Sequence, residues 1–143
     1  MTPDQEKHLY LEGIRLFNAH QYFEAHEAWE EVWHAATGLK HAFYQGMIQA
    51  AVSLEHYRRA NPRGVVSLHR SYLARLEKLP SPFMGLNLAR FMREMEAALR
   101  PVLSANPLPS KGQITLNLST APKIYLEYDP FESGEAERYN QMR

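Results

Sequence analysis

Apolar residues return every three or four positions through most of the first hundred, the spacing that turns one face of an α-helix toward a core. Leu9, Gly13 and Leu16 form one row, and Tyr10, Ile14 and Phe17 form a second beside it. Ahead of them, Thr2, Pro3 and Gln5 have the order of an N-cap, a first-turn proline and a capping-box glutamine. This predicts a first helix over residues 4–19. Residues 18–21 are too few for more than a tight connection, so a second helix over 22–36 folds back beside the first and ends at Thr37 and Gly38.

A third helix is predicted over residues 40–60. Phe43, Tyr44, Met47, Ile48, Ala50, Ala51, Val52 and Leu54 make it apolar nearly all round, the mark of a central position. Asn61 and Pro62 end it and restart the chain as N-cap and first residue of a fourth helix, whose row is Val65, Leu68, Tyr72, Leu76 and Leu79. After Pro80 and Pro82, the spacing of Leu88, Phe91, Met92, Met95, Leu99 and Val102 predicts a fifth amphipathic helix. The pattern changes at Asn106. Pro107, Pro109 and Gly112 precede two short alternating runs, Ile114/Leu116/Leu118 and Ile124/Leu126/Tyr128, which fit a hairpin or an extended arm. The fold class expected is all-α: a compact bundle of about five helices over residues 1–104, with an irregular or short-strand arm over 105–143 packed on it or partly disordered. Residues 132–143 are charged and without an apolar period, so they are expected to fray.

The 143 residues contain no cysteine, which removes disulfides, thiolate nucleophiles and Cys-based metal sites and fits a reducing, cytoplasmic setting. Lysine plus arginine equal aspartate plus glutamate at 16 each, so the field that drives non-specific nucleic-acid binding is lacking. No apolar run reaches the ~20 residues of a membrane span. Neither nucleic acid nor membrane is an expected partner; a homodimer is, and any small-molecule substrate is unidentified. With no Gly-rich phosphate loop, no nucleotide cofactor is expected.

The second helix carries the suggestive chemistry. With His26 at zero on a wheel of about 100° per residue, Glu30 falls near +40°, Trp33 near −20° and Tyr22 near −40°, while Glu24, Glu27 and Glu31 fall opposite as a solvated strip. His26 and Glu30 are therefore expected to face the core, where a carboxylate needs a partner. On the third helix Gln45, Gln49, Ser53 and His56 share one seam. Turning the two seams together makes His26, Glu30 and His56 the candidate ligands of a divalent metal, with zinc the default over manganese, iron or nickel, and Tyr22, Trp33, Gln45 and Gln49 lining the site. A bound water would make such a centre a hydrolase. The alternative is a non-catalytic helical module in which the same residues only specify packing.

The segments YFEAHEAWEEVW (residues 22–33) and FYQGMIQAAVSLEHYRRAN (43–61), preceded by EGIRLFNAHQ (12–21), resemble the bacterial and archaeal family called domain of unknown function 309. That family's motif, H-x-x-x-E-x-x-W/Y, is matched by His26, Glu30 and Trp33. The resemblance covers about three helices and implies an all-helical fold and a suspected metal-binding role, with no reaction attached.

Overall fold

Thr2 caps the chain's first helix as its position suggests: its hydroxyl accepts from the Gln5 amide at 3.1 Å, and the Gln5 side chain accepts from the Thr2 amide at 2.8 Å. In the computed structural model, which describes residues 1–141, this helix is α1 (Pro3–Asn18). It is followed by α2 (Tyr22–Ala35), α3 (Gly38–Arg58), α4 (Pro62–Leu76), α5 (Leu88–Leu103) and, beyond a long irregular stretch, α6 (Glu135–Gln141). Two tight corners set the path. His20 and Ala60 adopt left-handed backbone, with φ of 63° and 57°, and Asn61 then caps α4. Consecutive helices from α1 to α5 pack on one another, and α3 lies between α2 and α4, as its nearly continuous apolar surface requires.

Small residues let these helices close up. Gly13 of α1 lies under the Trp29 indole of α2, where a Cβ would stand 2.0 Å from Nε1. Gly46 of α3 lies under Leu76 and Gly64 of α4 under the His56 ring, each too close for another carbon. The core they admit is aromatic: Tyr10, Phe17, Tyr22, Trp29, Phe43, Tyr44 and Tyr72 are fully buried.

The stretch after α5 packs along the bundle. The Asn18 side chain exchanges two hydrogen bonds with Ile124, at 2.7 and 2.8 Å. The Gly112 amide donates to the Ala60 carbonyl and the Glu127 amide to the Gly85 carbonyl, each at 2.8 Å. In the second alternating run these backbone groups bond outside the run rather than to the first, and neither run forms a strand; among the described residues there is no sheet, only an isolated bridge between Phe83 and Leu86 and a 3₁₀ turn at Leu118–Thr120. The expectation that residues 132–143 fray is corrected for those described. There the chain forms α6, because Glu135 and Ala136 are buried and Tyr139 stacks on Phe83, ring centroids 4.5 Å apart. Residues 142–143 lie outside the described residues.

The seat of α6 is the loop 82–86. Met84, buried and with φ of 50°, holds a backbone conformation that a side chain normally avoids. Two hydrogen bonds hold it: its amide donates to Glu135 Oε2 and its carbonyl accepts from the Tyr10 hydroxyl, both at 2.7 Å. Tyr128 donates to the other oxygen of Glu135, so this buried carboxylate is satisfied on both sides.

Candidate functional site

On α2 the buried residues are Tyr22, Ala25, Trp29 and Val32, whose mean direction lies about 80° from His26 on the wheel. That offset corrects the expectation of a core-facing His26–Glu30 pair: Glu30 stands about 120° from the core direction, and its side chain is 46% exposed, while that of His26 is 18% exposed. Glu30 needs no buried partner. It lies instead between two imidazoles of its own helix, 3.5 Å from His26 Nε2 and 3.7 Å from His34 Nε2.

The other groups of the motif are also engaged locally. His26 Nδ1 lies 2.5 Å from the Phe23 carbonyl, which can only accept, so this nitrogen donates. Trp33 stacks on His41 of α3, centroids 5.0 Å apart, and packs against His34 at 4.9 Å. Its indole N–H is buried without a hydrogen-bond partner, as is Oε1 of Gln49. Tyr22 is buried beside Phe17, and its hydroxyl meets His20 Nδ1 at 3.0 Å. Burial, then the nearby Glu55, pushes the Tyr22 phenol up to about 12.

The seam of α3 does not join this group. Gln45 is half-buried, and Ser53 turns its hydroxyl to the Ala50 carbonyl of its own helix. His56 faces α4, with Nδ1 3.1 Å from Asn61 Nδ2 and its ring over Gly64; burial, then Arg59, lowers its pKa below the ordinary histidine value. His26, Glu30 and His56 are thus not gathered. Among the described residues no group of three or more His, Asp or Glu is arranged to hold a metal ion. Nor are His26, Glu30 and His34 such a group among the described residues. His69 of α4 meets the Tyr72 hydroxyl at 3.1 Å.

A polar centre that the motif gave no hint of lies inside the bundle. Lys40, at the start of α3, donates to Glu6 Oε1 at 2.8 Å, and the Tyr44 hydroxyl donates to Oε2 at 2.8 Å. The Lys40 and Glu6 side chains are only 2% and 8% exposed. Burial, followed by the charge of Glu6, raises the Tyr44 phenol well above its ordinary pKa. The sequence held a signal: Glu6 extends the row of Tyr10, and Lys40 extends the row of Phe43, Tyr44 and Met47, so each places a charge on a core-facing line.

Residues 10–68 match the family model described as Domain of unknown function (DUF309), which bears out the resemblance carried by the α2 and α3 phrases. An uncharacterized protein of Aquifex aeolicus (strain VF5) is 26% identical over 117 residues, covering 81% of this chain and 34% of the Aquifex protein. The chain therefore spans about a third of the length of that curated relative.

Proposed function

With residues 10–68 placed in a domain family whose name states no activity, we propose that the protein is a non-catalytic helical interaction module that pairs with a second copy of itself, and that the HxxxExxW side of α2 is structural. The observation that carries this reading is the engagement of the motif within its own chain: Glu30 between His26 and His34, His26 on the Phe23 carbonyl, Trp33 on His41. Self-pairing is supported by charge. Glu24, Glu27 and Glu31 form an exposed acidic strip, Arg58, Arg59 and Arg63 an exposed basic corner in which the first two also bond the buried Glu55, and Phe23, 44% exposed, lies beneath the Arg59 guanidinium at 5.9 Å. In such a pair a two-fold axis would bring each strip to the partner's corner. Light scattering of the purified protein should show a dimer at low salt that dissociates as salt is raised, and Phe23→Ser should be monomeric. A parent protein that is monomeric at every salt concentration would sink the pairing.

One observation favours a second reading. With His26 Nδ1 donating to a carbonyl, the Nε2 of a neutral ring presents a lone pair to the Glu30 carboxylate 3.5 Å away, a separation that a cation can bridge. A divalent ion, zinc first, would take these two groups and need its remaining ligands from outside the chain; a metal-dependent hydrolase would require such completion. Elemental analysis after reconstitution decides it. Stoichiometric metal lost in His26→Ala supports the ion, and metal-free parent protein rules it out.

A further inference from the structure

Lys40 has more donors than its surroundings use. Its ammonium carries three N–H groups, one goes to Glu6, and among the described residues no other hydrogen-bond partner meets it. Glu6 is already shared with Tyr44, so the carboxylate is fixed in place rather than free to follow the ammonium. Two unaccepted donors on a side chain only 2% exposed are costly unless something accepts them.

A cavity of about 60 Å³ lies beside this pair, lined by Glu6, Lys40, Ala35, Ala36 and Asn140 among others. By the room one water needs, it takes about four water-sized groups, the size of a very small organic ligand. The Glu6 carboxylate in the wall offsets the Lys40 ammonium, and two helix ends bias the remaining balance. Thr37 opens α3 without a side-chain hydrogen bond, and the first turn of α3 carries no acid, so its N–H groups leave a partial positive charge near Lys40. The last carbonyls of α2 on the facing wall carry the opposite sign, which disfavours a doubly charged guest.

We propose that this cavity binds a small singly charged oxyanion, a short monocarboxylate, whose two oxygens accept the two free N–H groups of Lys40, with Asn140 of α6 forming the outer wall. Nothing in the DUF309 assignment or in the α2 motif points to this site, which lies on residues the motif does not include.

The test is a titration of the ¹⁵N-labelled full-length protein with acetate, acetamide and inorganic phosphate at constant ionic strength. Acetate should shift the amides of Lys40, Ala36 and Asn140 saturably, with a Kd on the order of 1 mM, the strength open to a ligand of so few atoms. Acetamide and phosphate should bind at least about tenfold more weakly. Two variants guard the interpretation. Lys40→Met combined with Glu6→Gln removes both charges together, keeps an acceptor for Tyr44, and should weaken acetate by about tenfold or more. Asn140→Trp fills the cavity from its exposed wall without touching the ion pair and should abolish the shifts. The proposal is overturned if no ligand saturates, which would mean water alone accepts from Lys40, if acetamide or phosphate matches acetate, or if both variants bind acetate as the parent does.

Discussion

At Gly13 a missing side chain matters more than most present ones. The Trp29 indole occupies the space a Cβ would need and donates to the Tyr10 carbonyl of α1 at 3.2 Å, so the ring cannot withdraw without losing that bond. Gly13→Ala gains about 1 kcal/mol of helix propensity, yet the overlap should outweigh it and lower stability by about 1–3 kcal/mol, measured by urea unfolding. An alanine variant as stable as the parent would show that Trp29 moves aside freely. Residues like this mark where the sequence was hard to read. Gly13 stood in an apolar row and could be placed on the core side, but nothing in its spacing names the neighbour that needs the space. His26 and Glu30 are hard to place for a related reason: they sit at the edge of an arc whose centre belongs to Ala25 and Trp29, and a wheel anchored on the polar residues draws that centre toward them. The spacing of Lys40 and Glu6 marks each as core-facing but does not pair them, because each needs the other helix in place before its charge makes sense.

Among the elements, α1 to α5 followed from periodicity and caps to within a few residues at each end, since propensity, pattern and termini all agree there. The sixth helix did not, because EAERYNQ has no apolar period and is held by what it touches. Glu135 fastens it to the Met84 amide and to Tyr128, and Tyr139 stacks on Phe83. Glu135→Ala should therefore act at a distance in sequence. The left-handed backbone at Met84 loses its acceptor, the loop 82–86 should exchange its amides faster in hydrogen exchange, and global stability should fall by about 1–3 kcal/mol. Unchanged protection at Met84 would show that the Tyr10 hydroxyl alone holds the loop.

The molecule as a whole is stabilised by phenols kept from water, and this sets its response to alkali. Burial raises Tyr10, Tyr44 and Tyr72 above the ordinary value, with nearby carboxylates adding to it, and Tyr22 reaches about 12. A pKa higher in the folded than in the unfolded chain means that the folded state holds its protons longer. The stability these groups contribute is full below the unfolded value near 10 and is lost as pH rises from there through the folded values. Tyrosinate absorbance should thus rise cooperatively, together with the loss of helical circular dichroism. Gradual ionisation with the helices intact would contradict it. No helix of the described residues is long and apolar enough to cross a membrane. The hydrogen bonds that tie the stretch after α5 to the bundle have a kinetic counterpart. Helices α1 to α5 pack on their chain neighbours, whereas Asn18 meets Ile124 and Met84 meets Glu135 across 106 and 51 positions of chain. Short loops close early and long ones late, so the hairpins form the folding nucleus and the closure by α6 follows the barrier. Loss of Glu135 should then leave the refolding rate nearly untouched and appear almost entirely as faster unfolding, making the last helix the clasp that sets how long the native state survives.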